Sequence, residues 1–196
     1  MADEKNDALR EWAAQLTQYT PISWARMPDL NLYMDQVIAF MEQQLAFYRR
    51  NAQSKTLTPS MINNYAKESL LDRPVNKRYT REHLAELMMI SMLKPVLSIA
   101  DIAAITRNAQ PGGLHDAEQL YAQFSDAQTN TVRALGQHLT AMLDAGDTPA
   151  TPADAALLVM QMGLQANAYR VAAEKLLDIL LPTEPDDKHK KEKENP

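Results

Sequence analysis

Apolar side chains recur every three or four residues along most of this chain, the spacing that gathers them on one face of an α-helix. Leu9, Trp12, Ala13 and Leu16 predict a short helix over residues 6–18, and Pro21 and Pro28 keep the next ten residues from continuing it. Leu30, Tyr33, Met34, Val37, Ile38, Met41, Leu45 and Tyr48 form a longer stripe and predict a helix over 29–50. Arg49 and Arg50 suit its C-terminal dipole end. Thr58 offers an N-cap hydroxyl and Pro59 a preset first-turn φ, so another helix starts there and runs to about residue 69 with Met61, Ile62, Tyr65 and Leu70 inward. Thr80 caps a helix carrying Leu84, Leu87, Met88 and Ile90, which Pro95 stops near Leu93 or Lys94. Ser98 to Asp101 reads as a capping box opening a helix to about Thr106.

Pro111-Gly112-Gly113 marks the predicted domain boundary. Beyond it a helix over 115–145 carries Tyr121, Phe124, Val132, Leu135, Leu139 and Met142, and Gly146 to Pro149 turn the chain. A last helix, capped by Thr151 to Asp154, runs to about Leu181. It has two apolar stripes: Ala155, Leu158, Met162, Tyr169, Leu176 and Leu180 on one side, Leu157, Met160, Leu164 and Val171 on the other. A helix apolar on two sides needs cover on two sides. The pattern therefore predicts an antiparallel hairpin of the last two helices, with Leu157, Met160, Leu164 and Val171 as the dimerisation face. Four regions result: an arm over 1–28, a first helical unit over 29–110, a dimerisation and candidate effector unit over 114–181, and a charged, disordered tail over 182–196.

Five glycines in 196 residues, with abundant Ala, Leu, Met and Gln, agree with an all-α fold containing at most a small hairpin. The absence of cysteine excludes disulfides, thiolate metal sites and thiol nucleophiles. His83, His115, His138 and His189 lack ligand-like spacing, so neither a metal nor another cofactor is expected. No nucleophile, phosphate-binding or dinucleotide motif occurs and the acidic residues are scattered, so the chain does not read as an enzyme. The N-terminus lacks a signal-peptide pattern and no apolar run reaches membrane-spanning length, which together predict a soluble, cytoplasmic protein.

Charge is unevenly placed. Between Tyr48 and Arg81 stand Arg49, Arg50, Lys55, Lys67, Arg73, Lys77, Arg78 and Arg81 against only Glu68 and Asp72, a local +6 that leaves −11 for the rest of a chain whose total is −5. Such an island attracts phosphate while the remainder keeps the molecule soluble. On the predicted helix from Thr58, Ser60, Asn63, Asn64 and Lys67 share the outward face, which carries no acid. Asn pairs bidentately with adenine, and Ser and Lys reach phosphate or base edges. Arg73, Lys77, Arg78 and Arg81, with Tyr79 among them, make the next loop a candidate phosphate-binding wing. The bland alternative for both segments is an ordinary solvated surface.

Leu32 to Val37, Leu57 to Tyr65 and Lys77 to Leu84 together resemble the bacterial domain of unknown function 1836 family, and residues 57–105 resemble the DNA-binding half of the MerR regulators. The resemblance implies a winged helix-turn-helix whose second helix spans Thr58 to Lys67 and whose wing spans Asp72 to Tyr79. It implies a sequence-specific, dimeric transcriptional regulator that binds double-stranded DNA. The MerR-type Arg-Tyr pair is replaced here by Asn64-Tyr65, which leaves the base preference undefined, and the missing cysteines leave metal sensing unimplied. The alternative functions are a protein-interaction adaptor that keeps the winged fold, and a sensor whose C-terminal helices take an unknown small-molecule effector.

Overall fold

The computed structural model describes residues 2–51, 57–109 and 117–181. Within them the chain forms seven α-helices: α1 (Ala2–Thr17), α2 (Met34–Gln44), α3 (Pro59–Lys67), α4 (Arg81–Leu93), α5 (Ile99–Ala109), α6 (Ala117–Asp144) and α7 (Pro152–Leu180). One-turn 3-10 helices lie at Trp24–Arg26 and Ala46–Tyr48. The fold is all-α. Among the described residues, β pairing amounts to two isolated antiparallel bridges, Leu32 with Tyr79 and Val75 with Arg78. None of the described helices is long and apolar enough to cross a membrane. The boundary expected at Pro111-Gly112-Gly113 and the tail from Pro182 fall outside the described residues.

Side-chain caps set several helix starts. Thr58 Oγ1 accepts the Met61 N–H at 3.3 Å, with Pro59 as the first residue of α3. Ser98 and Asp101 cap α5 reciprocally, each backbone N–H donating to the other side chain at 3.1 Å, and Thr151 with Asp154 does the same for α7. At α4 the usual acidic partner is replaced by His83, whose Nδ1 accepts the Thr80 N–H at 3.1 Å.

α4 is the axis of the larger core. His83, Leu84, Ala85, Leu87, Met88, Met89 and Ile90 are all buried, because neighbours cover this helix on nearly every side. Val37, Met41 and Leu45 from α2, Ile62 and Tyr65 from α3, Ile102 from α5 and Tyr121 from the start of α6 complete that core. Its outermost members along the chain are Ile22 and Phe124. Tyr121 also donates its hydroxyl to the Ile22 carbonyl at 2.8 Å, which fastens the segment after α1 to α6.

α2 is half the expected length. Leu32 is drawn into two backbone hydrogen bonds with Tyr79, 2.9 and 2.8 Å, so the helix cannot begin before Met34. At the other end the chain tightens into the 3-10 turn Ala46–Tyr48, bringing the Phe47 ring to 4.8 Å and the Tyr48 ring to 5.8 Å from that of Tyr19.

α7 turns back along α6, but the two pack only loosely, through Met162 against Leu139, Met142 and Leu143. The close partner of α6 is α1, through a second, smaller core of Ala13, Leu16, Leu139 and Leu143. Arg10 strengthens the pairing by donating to the Leu143 carbonyl at 3.1 Å and to Asp144 at 2.7 Å, at the negative end of the α6 dipole. After the turn at Gly146 (φ 79°), α7 adds Met162 to the edge of this core and touches α5. It buries none of its residues fully, and Tyr169, Leu176 and Leu180 of its first stripe stay exposed.

Candidate nucleic-acid interface

α3 is short, and its amphipathic pattern decides its orientation. Ile62 and Tyr65 are sunk in the core, which turns Ser60, Asn63, Asn64 and Lys67 together toward solvent; all four are exposed. The face they form carries polar groups and one cation and no acid. Thr58 stands apart, because its hydroxyl is committed to the α3 cap and its side chain is half-buried. Its contribution is to fix the first turn of the helix that presents the others. Ser69, at φ 56°, then reverses the chain into the loop.

The loop is a small hairpin. Arg78 donates its backbone N–H to the Val75 carbonyl at 3.0 Å, and the two residues between them, Asn76 and Lys77, have φ of 53° and 60°. Two consecutive left-handed residues are the signature of a type I′ turn, whose twist matches that of paired strands. The turn projects Lys77 at its tip, and Arg73, Lys77 and Arg78 are exposed. Arg78 is oriented by Tyr33: its guanidinium carbon lies 4.7 Å from the ring centroid, and Nη2 donates to the Tyr33 hydroxyl at 2.9 Å. By spacing Tyr33 belongs to the apolar stripe of α2. It faces outward instead because it precedes the first turn of that helix.

Two residues of the expected wing do a different job. Tyr79 is buried, pairs through its backbone with Leu32, and sets its ring edge-on to His83 at 5.6 Å; its phenol closes the core and does not face solvent. Burial also raises its pKa. Arg81 is held by Asp29 at 2.9 Å and lies 5.7 Å from the Trp24 ring, with only 20% of its side chain exposed. Its charge is largely neutralised within the protein, so it adds little to the basic surface. Neither Asp29 nor Trp24 carries a local sequence signal for this role, since the contact joins residues more than fifty apart in the chain.

Beside this hairpin lies a cleft of about 580 Å³ lined by Asp72, Arg73, Val75, Thr80, Glu82, His83 and Glu86. Glu86 lines it, with Oε2 buried and without a hydrogen-bond partner. Burial, reinforced by the negative charges of Asp72 and Glu82, pushes its pKa up to about 7. Burial pushes His83 the other way, toward the neutral ring, against the opposing pull of Asp72 and Glu82. Glu82 is held below the usual carboxylate range, first of all by its hydrogen bond with Thr80. Among the described residues no group of three His, Asp or Glu side chains is placed to hold a metal ion.

The family model for the domain of unknown function 1836 (DUF1836) matches residues 22–124, just over half of the chain. The chain belongs to the DUF1836 family. The DUF1836 segment contains α2, α3, the Val75–Arg78 hairpin, α4 and α5, while α1, α7 and most of α6 lie outside it. No curated protein and no solved structure matches the chain.

Proposed function

We propose that this protein is a sequence-specific DNA-binding transcriptional regulator of MerR-like winged helix-turn-helix type, acting as a dimer on a two-fold site. One observation carries the reading: an exposed, acid-free helix face of Ser60, Asn63, Asn64 and Lys67 is joined directly to a type I′ hairpin that projects Arg73, Lys77 and Arg78. Helix α3 enters the major groove, where Asn63 and Asn64 read base edges and Ser60 and Lys67 reach bases or backbone. The wing grips phosphate, with Arg78 already oriented by Tyr33 before DNA arrives.

The two jobs separate by mutation. Arg78→Ala weakens binding to every sequence alike, by about five- to tenfold, and lowers the dependence of log affinity on log salt by about one. Asn64→Ala loses about 1–3 kcal/mol of discrimination at one base pair. Anisotropy titrations against a set of genomic fragments at several salt concentrations measure both. Absence of any salt-sensitive, sequence-selective binding by the parent chain would remove the proposal, and two variants indistinguishable from the parent would remove the assignment of face and wing.

A further inference from the structure

Two buried polar atoms beside the hairpin loop lack the partners that burial demands. Glu86 Oε2 and His83 Nε2 are both shielded from solvent, and neither makes a hydrogen bond. The two residues stand three apart on one face of α4 and line the same cleft, to which the loop contributes Asp72, Arg73 and Val75. His83 is only 8% exposed, and its Nδ1 is committed to the Thr80 N–H, so in the neutral ring the proton sits on Nε2. The free edge of the ring is therefore a donor without an acceptor. The charges that act on it, Asp72 and Glu82, both belong to the cleft, which places that edge toward the cleft. Glu86 is an acceptor without a donor, and the broad terminal torsion of its side chain lets either oxygen turn to the cleft. Once ionised it is a desolvated negative charge within reach of two more, Asp72 and Glu82. Against these three carboxyls the cleft sets one exposed cation, Arg73. Its volume of about 580 Å³ is that of a small-molecule site. The excess of carboxyls repels anions, and among the described residues no three acidic or histidine groups close on a metal ion.

We propose that this cleft binds a small aliphatic amine that also carries a hydroxyl group. The ammonium supplies the donors that the Glu86 carboxylate lacks, in a charge-assisted bond, and the charges of Asp72 and Glu82 add to the attraction. The hydroxyl oxygen accepts from His83 Nε2. An ammonium has three N–H donors and no acceptor, so it satisfies Glu86 but not His83, and one ligand must bring both groups. Val75, 74% exposed on the loop, covers the carbon chain between them. A carboxyl held in a desolvated site among like charges is characteristic of binding sites, where the ligand provides the missing counter-charge. The site lies between the hairpin loop and α4, away from the C-terminal helices, and its argument uses no feature of the DNA-binding face.

NMR titration of the full chain, without DNA, tests it with amino alcohols running from ethanolamine to aminopentanol, beside the alkylamines and diols of matching length. At pH 8 the best amino alcohol is expected to bind with a dissociation constant of about 1 mM or lower and to shift the resonances of Val75, His83 and Glu86. The matching alkylamine binds several-fold more weakly, and the diol, which lacks the charge, more than about tenfold more weakly. Affinity for the amino alcohol falls by about tenfold or more between pH 8 and pH 5.5, because Glu86 takes up a proton that the ammonium must displace. His83 works in the same sense, since its charged ring repels the ligand; Asp72, Arg73 and Glu82 are the other charged groups of the cleft. Glu86→Gln, with helix content equal to the parent's, lowers the affinity at pH 8 more than about tenfold and flattens the pH profile, and Asp72→Asn lowers it less. Failure of every amino alcohol to bind below about 20 mM overturns the proposal. So does a diol that binds as well as the amino alcohol, a set of shifts confined to residues outside the cleft, or a folded Glu86→Gln variant that binds like the parent. An alkylamine equal to the amino alcohol overturns the part given to His83. These readouts fail or succeed whatever the DNA titrations show.

Discussion

Gly136→Ala is expected to destabilise the protein by about 2 kcal/mol, lowering the melting temperature by roughly 4–8 °C. An alanine normally strengthens a helix interior by about 1 kcal/mol relative to glycine. Here the added Cβ would stand 2.6 Å from Thr17 Oγ1, 2.7 Å from the Thr17 nitrogen and 2.9 Å from the Ala13 carbonyl oxygen. The hydroxyl can rotate away. The other two atoms are backbone of α1, so relief requires the whole helix to lift from α6, and with it Ala13, Leu16 and the Arg10 contacts with Leu143 and Asp144. Gly163 supplies the control, since a Cβ there meets nothing within 4 Å. Gly163→Ala should raise stability or leave it unchanged. Thermal unfolding of the two variants beside the parent decides the matter: equal behaviour of the two alanines is incompatible with a close crossing at Gly136.

Glu86→Gln is expected to make the protein more stable than its parent at pH 8 and nearly equal to it below pH 5. The carboxyl titrates near 7 in the folded chain against an ordinary 4.5. Between those values the folded state holds the proton more tightly than the unfolded one. Stability from this group is therefore complete below about pH 4.5 and is lost as pH rises through 7. A shift of that size corresponds to about 3 kcal/mol at the upper limit. Gln keeps the shape without the charge and abolishes this part of the slope, although its buried amide returns some of the gain if unpaired. His83 runs in the opposite sense, favouring the folded state at higher pH, and is common to both chains, so it cancels in the difference. Urea unfolding of parent and variant from pH 4.5 to 8.5 measures that difference, and a gap that does not grow with pH would show that Glu86 is not desolvated.

The α3 and wing region is largely legible in the chain because its signals are local. Thr58 and Pro59 mark a helix start whatever lies around them, and the burial of Ile62 and Tyr65 leaves only one place for Asn63 and Asn64 to point. The capping residues of α5 and α7 are readable for the same reason. Where the outcome depends on a distant partner, the pattern misleads. Arg81 reads as one more wing cation, but Asp29 takes it. Tyr48 continues the α2 stripe in sequence, yet the aromatic cluster with Tyr19 and its bond from Gln128 pull it into a tighter turn. The looseness of the α6–α7 packing has the same origin. α6 and α7 are adjacent in sequence and both apolar, but α1, from the opposite end of the chain, fits the groove that Gly136 opens.

Ile22 and Phe124, the outermost members of the larger core along the chain, are close to where α6 passes from one core into the other. They are also the first and last residues of the DUF1836 match. The family match and the larger core thus share their limits, even though the helix that closes that core runs on for another five turns without a break. Beyond residue 124 the same rod carries the second core, so the two cores share one unbroken helix and a displacement of either end of α6 is passed directly to the other core.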